Sequence, residues 1–238
     1  MSPVRINVMG DDFLVFSLPY GNFDTDFLSS YEFNYAVVLM PSIKADFYIK
    51  TYSKRKNLTK DNYAAAISAA AFLILLRGLP LSEIRFETDF GFIDIFYTGD
   101  CLFSVLIDKC KELFTKSKNL LGCEIEYTDV FVGKRVRVVK TKNIDAFDTS
   151  ALSGFLLADE KMPDSVTLTS TRGGVISIKR SDGFNPSPIT MLLSFVAASY
   201  IEKVDYKEKI YFSDGVSLCT KNYSSVTVTA KPIILNVD

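Results

Sequence analysis

Apolar and polar residues alternate along most of this chain, and long unbroken apolar runs interrupt the alternation twice. In the first half, period-two segments cover Val4–Ser17, with a turn at Gly10-Asp11-Asp12, then Phe33–Met40, Ala45–Tyr52, Ile84–Thr88, Gly91–Tyr97 and Leu102–Ile107. Each reads as a strand with one face on a core. The second half repeats the pattern at Glu124–Phe131, Lys134–Lys140, Ser165–Ser170, Gly174–Lys179, Lys209–Phe212, Ser217–Tyr223 and Ser225–Val237. The two exceptions, Asn62–Gly78 and Pro186–Ile201, are rich in Ala, Ser and aliphatic residues on every side. A helix with no polar face has to be buried all round. Asp61 or Asn62 is a candidate cap for the first, and Gly78-Leu79-Pro80 is a stop signal after it. Cys110–Leu121 reads as a short helix or a connector, and Asp148–Leu157 as a surface helix.

A small-residue helix among strands, occurring once in each half, predicts a duplicated α+β unit with a cleft between the copies. The expected halves are 1–115 and 116–238, with terminal strands that cross over between them.

Composition narrows the function classes. The chain has 238 residues, 48% of them hydrophobic, and a formal net charge of −1, so no global field favours nucleic acid or an anionic membrane. Both apolar runs fall short of the roughly 20 residues a membrane span needs. The opening Met1-Ser2-Pro3-Val4-Arg5 lacks the basic-then-apolar layout of a signal peptide, so the expectation is a cytoplasmic protein. Cys101, Cys110, Cys123 and Cys219 share no metal-type spacing, and neither a metal nor a cofactor is expected. The chain contains no histidine, which excludes Ser-His and Cys-His nucleophiles and His-ligated zinc. Proton transfer near neutral pH falls to a shifted carboxylate, Lys, Tyr or Cys.

The segments taken in order resemble diaminopimelate epimerase and its fold relatives, the proline racemases and the phenazine-biosynthesis isomerase family. Gly10-Asp11-Asp12-Phe13-Leu14-Val15-Phe16 is similar to that family's opening Gly-Asn-Asp-Phe strand. Ala45–Tyr52 resembles the strand before its first active-site helix, and Ile84–Gly91 the strand and turn after it. Val175–Tyr200 resembles, without a gap, the segment that carries the second active-site helix. The resemblance implies an α+β fold of two pseudo-symmetric halves, each wrapping a sheet around one buried helix. It also implies cofactor-independent racemase or epimerase chemistry, with one cysteine at the start of each helix and glycine-rich amides that hold a carboxylate.

Tyr63 and Pro188 stand where the resemblance places those cysteines, with Ala64-Ala65-Ala66 and Ile189-Thr190-Met191 in place of the glycine-rich stretches. Thr167 replaces a substrate-binding Asn, and Lys179-Arg180 a Glu-Arg pair. The residues left as catalytic candidates are Asp11, Asp12, Tyr63 and Lys179. Ligand-binding candidates are Arg180, Thr190 and Asp12. Each has a plain structural alternative: a turn for the aspartates, space-filling for Tyr63. The basic groups around Lys54 and Lys134–Lys142 read as solvated turns and strand faces, with Arg135 and Arg137 alternating with Val136 and Val138.

Two readings stay open. One is a non-catalytic relative that binds a small carboxylate or amino acid, or a protein partner such as a second copy or a paralogue. The other is a diverged isomerase that uses non-cysteine groups on an amino acid or carboxylate substrate.

Overall fold

A computed structural model describes residues 3–19, 23–54, 62–108, 110–120, 123–141, 165–172, 175–181, 188–203, 207–212, 215–221 and 225–235. The architecture is mixed α+β and strand-rich, as the alternation requires. The expected helix Asp148–Leu157 and the candidate cap Asp61 lie outside the described residues.

In chain order the elements are β1 (Val4–Val8), β2 (Asp11–Ser17), a 3-10 helix (Thr25–Ser30), β3 (Tyr35–Pro41), β4 (Phe47–Ser53) and α1 (Asn62–Ala71). They continue with β5 (Glu83–Thr88), β6 (Gly91–Tyr97), β7 (Phe103–Asp108), β8 (Lys111–Leu120), β9 (Cys123–Val132) and β10 (Lys134–Lys140). The remainder are β11 (Ser165–Arg172), β12 (Val175–Ser181), α2 (Pro188–Glu202), β13 (Lys207–Phe212), β14 (Gly215–Lys221), β15 (Ser225–Ala230) and β16 (Ile233–Leu235). One sheet runs β13-β14-β15-β7-β6-β5-β4-β3-β2-β1-β16, the other β12-β11-β10-β9-β8. Most neighbours are antiparallel, but β2–β3, β4–β5 and β10–β11 are parallel. Contacts divide the chain into unit 1 (1–106, 209–218, 227–238) and unit 2 (107–208, 219–226).

Unit 1 is built around α1. Residues Ala64–Ala71 are at most 4% exposed, and the helix packs against β1 to β6. Alanine on every side is what lets strands approach from every side, because a larger residue would force them apart. The single hydroxyl in this run, Ser68, donates to Ala65 O at 2.7 Å and leaves no buried polar atom unpaired. After Ala71 the helix widens into one π-type turn, Phe72–Leu76, before Gly78 stops it at φ +68°. Amides there reach further back than in an α-helix: Arg77 N to Phe72 O and Leu79 N to Leu73 O, both 3.1 Å. The other face of β2 and β3 is covered too. Leu14, Phe16 and Ala36 pack with Leu28 and Phe33 of the 3-10 helix region.

In unit 2 α2 plays the same part against β9 to β12. Leu192, Leu193, Val196, Ala197 and Ala198 are fully buried along it, as are Ser194 and Ser199. Ser199 donates back to Phe195 O at 2.9 Å. Pro188 is the first residue of the helix, the position where a missing N–H costs no intrahelical bond.

Four sequence expectations change. The segment Cys110–Leu121, expected as a helix or connector, contains the ten-residue edge strand β8. The first turn is at Met9-Gly10, not at the aspartates: Val8 pairs with Asp11, and Met9 and Gly10 take φ of 57° and 88°. Positive φ at both loop positions matches the twist of a two-residue hairpin. Ser225–Val237 is two strands, since Lys231-Pro232 separates β15 from β16. Finally, Arg137 is not on a solvated face but fully buried.

Candidate functional site

The candidates of unit 1 sit at the start of β2 and the start of α1. Asp12 faces Asn7 across the first hairpin, and Asn7 Nδ2 donates to Asp12 Oδ1 at 2.8 Å. Asn7 Oδ1 in turn accepts the Gly10 amide at 3.0 Å. The Asp12 carboxylate therefore braces the turn through a largely buried asparagine. Neighbouring strand residues point to opposite faces, so Asp11 lies on the side shared with Phe13 and its register partner Ile6. The two carboxylates are adjacent in sequence but are not a side-by-side pair. Tyr63, in the first turn of α1, is half-buried.

The candidates of unit 2 sit on β12 and α2. Lys179 is opposite Leu168 and Arg180 opposite Thr167 in the β11–β12 ladder. Pro188 is the first and Thr190 the third residue of α2. The side chains of Lys179, Arg180, Pro188 and Thr190 lie outside the described residues. Their neighbour Thr167 is fully buried, and so is Thr169 two positions along the same face of β11. Neither hydroxyl has a hydrogen-bond partner. An unpartnered buried hydroxyl is costly, and two on one face mark a place where polar groups are kept for a reason other than packing.

Two further polar centres were not anticipated. On the outer side of unit 1, the Tyr48 hydroxyl donates to Asp89. Burial, then that hydrogen bond and the negative charge of Asp89, push the Tyr48 phenol well above its ordinary value. Burial and Asp89 also push Tyr52 up. Both phenols stay protonated and serve as donors, not as bases. Beside them Ser42 donates to Glu87 at 2.6 Å and Lys44 pairs with Glu87 at 3.3 Å, and both hold that carboxyl below its usual range.

The second centre is inside unit 2. Asp129 is fully buried and accepts from Arg137 Nε at 2.7 Å and a second Arg137 nitrogen at 3.0 Å. Arg135 Nε reaches the same carboxylate at 2.5 Å. Arg137 lies over the Tyr127 ring at 4.3 Å and Arg135 over Phe114 at 4.9 Å. The signal for this centre was present in β9. Ile125 and Tyr127 mark its buried face, and Asp129 falls on the same face, where a carboxylate needs a cation.

Among the described residues, no group of three or more Asp, Glu or Cys is gathered as a metal would require. No described helix is long and apolar enough to cross a membrane.

No family model matches the chain, and no curated protein matches its sequence. Solved structures do match its fold. A phenazine biosynthesis protein of the PhzF family from Enterococcus faecalis superposes with a TM-score of 0.63 at 10% identity, over 99% of this chain and 98% of that one. A hydroxyproline epimerase from Agrobacterium vitis, with trans-4-hydroxy-L-proline bound, gives 0.62 at 10% identity, over 98% of this chain and 90% of that one. The fold is that of the diaminopimelate epimerase-like proteins. A methylitaconate-delta-isomerase shares it as well, at a TM-score of 0.58 and 10% identity, over 98% and 93% of the two chains. Full-length coverage at so low an identity means that the epimerase-like fold extends over this whole chain while almost every side chain has changed.

Proposed function

We propose that this chain is a non-catalytic member of the epimerase-like group that binds a small carboxylate or amino acid. The observation that carries the reading is the position of the thiols. Cys101 and Cys110 lie on either side of β7, and Cys123 and Cys219 lie in β9 and β14. The central helices begin instead with Asn62-Tyr63 and with Pro188. A racemase of the resembled type takes a proton with one thiolate and returns it from a second thiol on the opposite face, and neither helix start offers one. Proline also removes an amide from the helix end that would hold a carboxylate. A bound anion would be held by Arg180, whose guanidinium suits a two-pronged contact with a carboxylate.

The alternative is a diverged isomerase working through Asp11, Asp12, Tyr63 or Lys179. The structural likeness to an epimerase and an isomerase over nearly their whole lengths favours it. Proton exchange separates the two. With proline, hydroxyproline or diaminopimelate in D2O, NMR should show no loss of the α-proton signal above the buffer rate. Exchange that disappears on replacing Tyr63 or Lys179 would establish the alternative. Thermal-shift titration with amino acids and keto acids should show stabilisation that Arg180→Ala removes, and stabilisation unchanged in that variant would take Arg180 out of the site.

A further inference from the structure

The outward side of β5, β6 and β7 carries large apolar side chains where a solvated sheet face would carry polar ones. In the β5–β6 ladder Glu83 pairs with Phe96, Arg85 with Asp94 and Glu87 with Phe92, and all six share this side. Phe96 is opposite Ser104, which puts Ser104 and, two residues on, Leu106 there as well. The other side of the same strands, with Ile84, Phe86, Ile93 and Ile95, is the buried one. Phe92 is 55% and Leu106 50% exposed. Set among them is an ion pair in which Arg85 Nε donates to Asp94 Oδ1 at 2.6 Å and the terminal nitrogen to Oδ2 at 2.9 Å. Both side chains remain accessible, at 56% and 30%.

We propose that this face pairs two copies of the chain about a two-fold axis. A two-fold interface must be complementary to itself, since each patch meets its own image. Phe92 and Leu106 meet that condition trivially, because apolar surface fits apolar surface. The charges meet it because they are adjacent and opposite. Rotation about an axis near the pair brings each Arg85 against the second copy's Asp94, and two ion pairs become a closed ring of four alternating charges. The bidentate contact within each copy already orients both groups, so little side-chain freedom is lost on association. Exclusion of water by the phenylalanines strengthens the ring, while Glu83 and Glu87 remain at a polar edge.

Light scattering after size exclusion, run over a concentration series on the full chain, tests this. The wild type should show twice the 26.6 kDa monomer mass and dissociate on dilution. Phe92→Glu should be monomeric where the wild type is dimeric. Arg85→Asp leaves two carboxylates and Asp94→Arg leaves two guanidiniums at the centre, so each variant alone should also be monomeric. Mixed together, the two should form a heterodimer, because every contact across the axis is then between opposite charges. A wild type that is monomeric throughout overturns the proposal. So does a dimer that persists in Phe92→Glu, or a pair of charge variants that stay monomeric when mixed. Circular dichroism of each variant confirms folding, and Phe92→Glu leaves the ion pair intact, so it decides the question even where a charge reversal unfolds the chain.

Discussion

Asp94 and Asp129 each accept a two-pronged hydrogen bond from an arginine on the neighbouring strand, but in opposite surroundings. The Arg85–Asp94 pair stands in solvent on the outer side of unit 1. The Arg137–Asp129 pair is 1% and 0% exposed, with Arg135 as a second cation on the same carboxylate. In water the Coulomb attraction is weak and either partner can exchange it for another. In the interior the same attraction is strong, but only because desolvation has already cost nearly as much. The outer pair is therefore available for recognition, whereas the inner group is committed to holding β9 to β10. An arginine in this chain has to be read through its surroundings before it is given a function.

The largest effect should come from the inner group. Asp129→Ala leaves two guanidiniums facing each other without their carboxylate, and should cost about 3–5 kcal/mol of stability in urea unfolding. A loss under about 1 kcal/mol would mean that water reaches the site and that the contrast with Asp94 is one of degree. Replacing the group by apolar residues of similar size, Asp129→Leu with Arg135→Met and Arg137→Met, should recover most of the loss or exceed the wild type.

An intermediate case lies in unit 2, where exposed Lys140 pairs at 2.8 Å with Glu202, whose side chain is 2% exposed and whose second oxygen has no partner. Lys140→Ala strands that carboxylate near the end of α2, and should cost about 1–2 kcal/mol. Asp94→Ala, at the exposed extreme, should cost under about 1 kcal/mol, an effect that 1 M salt removes.

The smallest effect is a pH dependence. The hydrogen bond from Arg85 holds the Asp94 carboxyl below its usual range. Its folded pKa lies below its unfolded one, so its contribution is present above the unfolded value and disappears as pH falls through the folded value. At the alkaline end the sign reverses. Tyr48 and Tyr52 are raised, so their contribution is intact below the ordinary tyrosine value of about 10 and is lost as pH climbs beyond it. Tyr48→Phe should flatten the alkaline limb of a stability–pH profile, and Asp94→Asn the acid limb.

Most strands were legible because a half-buried sheet writes itself as period two, and both central helices because nothing else is apolar all round. The segment Lys111–Leu120 was not legible as a strand. The register slips between Glu112 and Phe114, so Leu113 and Phe114 stand side by side and the alternation loses phase. With six of its ten residues charged or polar around that break, the segment has the composition of an exposed helix, and only pairing with β9 makes it a strand. The inner ion group was missed for a related reason. Arg135-Val136-Arg137-Val138 looks like a strand with one wet face, and the partner that dries it comes from the register that sets Arg137 opposite Asp129. Among the candidate residues, Asp11 and Asp12 were found as side chains, but their faces follow from where the hairpin turns, one residue earlier than the aspartates suggested.

The pairing of β16 with β1 has a consequence for how the protein is made. Arg5 finds its register partner in Leu235, and unit 1 takes residues 209–218 and 227–238 as well as its N-terminal stretch. At bacterial or eukaryotic synthesis rates, β1 emerges from the ribosome and waits roughly ten to fifty seconds for the strand that covers its outer edge. During that interval the edge of β1 is open to other nascent chains, although β2 can already pair with its inner edge. Unit 2, whose strands β8 to β12 and helix α2 all fall between 107 and 208, has no such wait for them. The part of the chain that begins first is thus completed last, and a trigger-factor-like holdase would find its longest-lived target in the first strand.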